Sequence, residues 1–112
     1  MSTLTINQGD TIVLTVTVVT PNNQPVDLTG STLEFAVKRN TTDVTATFTK
    51  TSSTGGITIL PGTGGTASIT IAPSDTENGP TGSFLWELEG TDSNGNVTTL
   101  ASGTFIITPS LI

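Results

Sequence analysis

The stretch TDSNGN sets Asp92, Asn94 and Asn96 at alternate positions, as the first half of a calcium loop sets its oxygen ligands. The glycine comes too early for such a loop, and no bidentate glutamate follows at its end. Asn94-Gly95 is instead the strongest short hairpin signal in the chain, and the run predicts a turn with Gly95 at positive φ. Glu87 and Glu89 alternate with apolar neighbours on one face of a strand. Paired carboxylates run glycoside hydrolysis where a cleft holds the sugar between them and one is kept protonated; nothing in the sequence signals a cleft, so a solvated face is expected. The glycine clusters at 55–56 and 62–65 lack the lysine and hydroxyl of a phosphate loop and read as hairpin ends. Lys38 and Lys50 stand on alternating runs without an evident partner. The sequons at Asn40 and Asn96 are what a threonine-rich chain produces by chance.

The composition narrows the chemistry further. With no cysteine and no histidine among 112 residues, the chain has no thiolate nucleophile, no disulfide, no imidazole base and no metal site of the usual N/S type. The expectation is a protein that is not an enzyme and has no cofactor. Nine acidic residues against three basic ones (Lys38, Arg39, Lys50) leave a net charge of −6, which disfavours nucleic acid and anionic membrane surfaces as partners. MSTLTINQGD has neither the basic start nor the apolar core of a signal peptide, and TIVLTVTVV is about half the length of a membrane span. Synthesis in the cytoplasm with no address of its own is expected.

These residues need strands to position them, and the strands are legible. Period-2 alternation sets Leu4 and Ile6 on one side, then Ile12, Leu14, Val16 and Val18, then Leu33, Phe35 and Val37, then Val44, Ala46 and Phe48. It continues with Ile57 and Ile59, with Ala67, Ile69 and Ile71, with Phe84, Trp86 and Leu88, and with Val97, Leu100, Phe105 and Ile107. Trp86 belongs to the core on this reading. STGG, PGTGG and DSNGN are the turns, and APSDTENGPTG allows one helical turn capped by Ser74 or Asp75 and ended by Gly79-Pro80. PNNQPVDLTG is too long for a tight hairpin and predicts a crossing between sheets, with Val26 and Leu28 tucked under the rim. The fold class is all-β: one domain over residues 1–112, an immunoglobulin-like antiparallel β-sandwich of about seven or eight strands, with a small barrel as the alternative.

Taken in order, INQGDTIVLTVTV, PVDLTGSTLEFAVK, GGITI, GTASITIAPSDT and GSFLWELEGTDSNGNVTTLASGTFII resemble the small immunoglobulin-like modules of tailed bacteriophages. The pattern is similar to the N-terminal virion-attachment domain of baseplate upper proteins and to stand-alone head and tail modules. The resemblance covers nearly the whole chain. It implies a virion structural protein, foremost a capsid decoration (cement) subunit, whose partners are major capsid or tail proteins or further copies of itself. A tail or baseplate adaptor, or an adhesion module for cell-surface sugar or protein, are the alternatives. Family members usually continue into a receptor-binding or fibre region, whereas this chain ends at Ile112, which favours a self-contained structural subunit. The partner contact is expected at backbone edges and termini: STLTIN and FIITPSLI are strand-like ends, and Leu111 and Ile112 are apolar residues beyond Pro109 that make sense buried against a partner.

Overall fold

The computed structural model describes residues 2–40, 42, 46–60 and 64–111. Val44 of the fourth alternating run, Thr41 of the first sequon and Gly62 lie outside them. Among the described residues, eight strands form two sheets. They are β1 (Ser2–Asn7), β2 (Ile12–Thr17), β3 (Thr32–Lys38), β4 (Phe48–Thr51), β5 (Ile57–Ile59), β6 (Thr66–Ile71), β7 (Gly82–Thr91) and β8 (Val97–Thr108), with one helical turn, α1 (Pro73–Thr76), between β6 and β7. The larger sheet has the order β1-β8-β7-β3-β4 and the smaller β2-β6-β5. The expected all-β sandwich is therefore present.

The two strand-like ends expected to reach for a neighbour pair with each other. β1 lies parallel to the second half of β8, from Ser2 opposite Gly103 to Asn7 opposite Thr108, while the other pairs are antiparallel. Thr108 closes this seam by accepting from the Gln8 N–H at 2.8 Å and donating its hydroxyl to the Ile6 carbonyl at 3.1 Å.

Each alternating run sends one set of side chains between the sheets. Leu33, Phe35 and Val37 meet Phe84, Trp86, Leu88, Phe105 and Ile107 from the larger sheet and Ile57, Ala67, Ile69 and Ile71 from the smaller, all buried. Phe35 lies at the aromatic centre, stacked on Trp86 at 5.8 Å and edge-on to Phe105 at 6.3 Å, the offset geometries that ring quadrupoles favour. Trp86 is 7% exposed, as the alternation requires. The edge strands bury less: Ile12, Leu14 and Val16 of β2 are half-buried, as are Leu4 of β1, Phe48 of β4 and Ile59 of β5.

β2 belongs to the smaller sheet and β3 to the larger, so PNNQPVDLTG does cross between sheets. The link first folds into a small hairpin, with the Thr20 N–H on the Gln24 carbonyl and Asn23 at φ 64. The Val26 N–H then bonds the Val18 carbonyl at 2.9 Å, and Leu28 is buried under the rim at 4% exposure.

The helical turn is where expected, but neither Ser74 nor Asp75 caps it. Ala72 is the N-cap, preceding Pro73 at the first helical position, and Asp75 reaches back from the third position to accept from the Ala72 N–H at 2.7 Å. The same Asp75 oxygen lies 2.6 Å from Lys50 Nζ of β4, so Lys50 has a partner that sequence spacing did not reveal.

Candidate functional site

The outward face of the larger sheet carries the charged side chains that alternation sends away from the core. Glu34, Ala36 and Lys38 come from β3, Leu85, Glu87 and Glu89 from β7, and Ser102 from β8. The ladder sets Glu34 opposite Glu89, Ala36 opposite Glu87 and Lys38 opposite Leu85. The small residues Ala36, Ala46, Ser102 and Gly103 are among those lining an open groove of about 600 Å³ along this face. The sequence showed no groove, since its lining comes from several strands brought together by pairing. It also missed Glu34 as the third carboxylate, because the β3–β7 register that brings it to Glu89 cannot be read from either strand alone.

The geometry limits what this groove does chemically. Glu87 and Glu89 are next-but-one neighbours on a single strand, so their Cα atoms lie about 6.8 Å apart and both side chains rise in the same direction. Glycoside hydrolysis requires carboxyl groups that flank a scissile bond, and Glu34 and Glu89 stand side by side across a ladder instead. The groove is open to water along its length. It is suited to hold basic or hydroxyl-bearing groups by surface contact.

At the β7–β8 hairpin, Asp92 turns out to spend its oxygens on the chain itself. One accepts from the backbone N–H groups of Asn94 and Asn96, each at 2.9 Å, and the other from the Asn96 side-chain amide at 3.3 Å. Gly95 has φ 85, as the turn demands. These donors, Asn96 foremost, hold the Asp92 carboxyl below the ordinary aspartate range. Asp27 is lowered similarly, foremost by the Thr29 hydroxyl and then by the Thr29 N–H, which donates to it at 2.9 Å within the crossing. Among the described residues, no group of three or more Asp or Glu is arranged to hold a metal ion.

Leu111 is fully exposed beyond Thr108, so it does not cap its own sandwich. Ile112 lies outside the described residues. Leu111 does not line the acidic groove, which runs along Glu34, Glu87, Glu89 and Ser102.

Compared with known proteins, the chain matches no family model, and no curated protein matches it.

Proposed function

We propose that the chain is a non-catalytic structural module of a tailed-bacteriophage virion, foremost a capsid decoration subunit that binds and stabilises the assembled particle. The observation that carries this reading is the order of the phage-like segments. INQGDTIVLTVTV spans β1 to β2, PVDLTGSTLEFAVK spans the crossing and β3, and GSFLWELEGTDSNGNVTTLASGTFII spans the β7–β8 hairpin that forms the centre of the larger sheet. The resemblance thus concerns the elements that build the sandwich rather than one loop. The exposed C-terminal Leu111 and the open strand edges supply contact surfaces of the kind an assembly uses.

The test is immunogold labelling of purified particles with antibody raised against the isolated domain, together with copy number from a quantitative stained gel. Dense labelling of heads at hundreds of copies supports decoration. Labelling at the tail tip with around a dozen copies selects the adaptor reading, and particles that lack the chain overturn both.

A further inference from the structure

We propose that β2 is a self-association edge, through which two copies of this chain pair antiparallel about a two-fold axis at Thr15 and join their smaller sheets into one.

The hydrogen-bond parity of β2 assigns the edge. Val18 N–H bonds the Gly65 carbonyl at 2.8 Å, and Val18 and Gly65 continue the register in which Ile12 faces Ile71 and Val16 faces Ala67. In an antiparallel ladder a residue that bonds its opposite directs both backbone groups toward it, and its neighbours direct theirs away. Ile12, Leu14 and Val16 are therefore turned to β6, and Val13, Thr15 and Thr17 present their N–H and C=O groups to the open side. Among the described residues, β2 has β6 as its only sheet neighbour.

Three further observations select a second copy as the occupant. First, no charged residue occurs from Thr11 to Val26, in a chain whose net charge is −6. Two such molecules meet here without opposing carboxylates, which the larger sheet's outer face does not permit. Second, the inward residues of β2 are half-buried while those of β3, β6 and β7 are buried, and Val13 on the outward face is 61% exposed. A strand added alongside covers both sets. Third, the strand is complementary to itself. With Thr15 opposite Thr15 of the second copy, Val13 faces Thr17, and every outward N–H and C=O of these three residues finds a partner. The same register sets Leu14 against Val16, so the inward faces continue one another.

The remaining edges are less suited to this pairing. β5 has three residues, and β4 has four, one of them the inward-pointing Lys50. β1 shows only polar side chains on its outward face at Thr3, Thr5 and Asn7, and of its inward pair Ile6 is already buried while Leu4 is half-buried. A two-fold contact uses up the β2 edge of both copies, so the assembly closes as a dimer rather than a fibre.

Sedimentation velocity on the full chain across a concentration series tests the proposal, with hydrogen exchange on the same samples. Dimerisation with concentration-dependent protection of the Val13, Thr15 and Thr17 amides is expected. Thr15 is exposed, so Thr15→Lys and Thr15→Glu should each melt like the wild type at dilutions where the wild type is monomeric, while weakening dimerisation by about tenfold or more, since each places like charges directly opposite. Mixing the two variants should restore the dimer as a heterodimer. A wild-type chain that stays monomeric, variants that dimerise as well as wild type, protection centred on β1, or a mixture that fails to recombine would each overturn the pairing.

Discussion

At the scale of single residues, the positions that decide the fold are those where a side chain or its absence meets a tight constraint. Trp86 was assigned to the core by alternation with Phe84 and Leu88, and its stacking on Phe35 accounts for the burial. Trp86→Ala should cost about 3–5 kcal/mol in chemical denaturation, because the cavity would open between two rigid sheets. Gly65 carries a constraint that no local pattern announces. It has φ 68, and a Cβ there would sit 2.7 Å from the carbonyl oxygens of both Val18 and Val26, where the crossing leaves β2. Gly65→Ala should lose about 2 kcal/mol or more, from the left-handed backbone and from displacing two carbonyls; a wild-type melting curve would mean the crossing is not pinned there. Asp92 acts in the opposite sense, by donors gathered around a charge. A carboxyl whose folded value is lowered stabilises the fold above its unfolded value, and that contribution disappears as pH falls through the lowered folded value. An NMR titration should therefore place the Asp92 midpoint below that of an ordinary aspartate, and Asp92→Asn should flatten the acid limb of the stability profile.

At the scale of elements, strands were legible because an antiparallel sheet with one wet face writes its period directly into the side chains. Leu33, Phe35 and Val37 against Glu34, Ala36 and Lys38 needed no further information. The reading failed where pairing departs from strict alternation. In β8 the register against β7 shifts between Leu88 and Glu89, so Ala101 faces Leu88 while Thr99 faces Glu89. This β-bulge puts Leu100 over Gly90 and leaves Val97 59% exposed, although Val97 had been counted with the inward set. The parallel β1–β8 seam was invisible for a related reason, since its partners stand about a hundred residues apart. The tie between β4 and α1 is another long-range fact. Lys50 runs its aliphatic stem over Gly56 and sets its ammonium on Asp75, each side chain 16% exposed, and Asp75 also holds the Ala72 N–H. Lys50→Met should cost about 1 kcal/mol and Asp75→Ala about 1–2 kcal/mol, between the worth of exposed and buried pairs. The double variant should fall short of the sum, because both changes break the same bond; strict additivity would show that the ion pair carries no coupling.

At the scale of the whole molecule, charge divides the sandwich. The strands of the smaller sheet contain no ionisable side chain, whereas Glu34, Lys38, Glu87 and Glu89 crowd the outer face of the larger one. The sequence showed the carboxylates and their direction but not their company, because Glu34 joins Glu89 only through the β3–β7 register and the groove is lined by residues of several paired strands. A terminal contact was expected on different grounds, from two apolar residues past Pro109. Pro109, Ser110 and Leu111 are exposed, and the last ladder position is Thr108. Truncation before Pro109 therefore removes three exposed residues along with Ile112, and the melting temperature is expected to stay within about 3 °C of the full chain. If the tail binds a particle as proposed, the truncated protein should load poorly in competition with the full-length one while folding equally well. A large drop in melting temperature would show that the tail belongs to the sandwich. Equal loading of both proteins would move the contact to another surface of the sandwich.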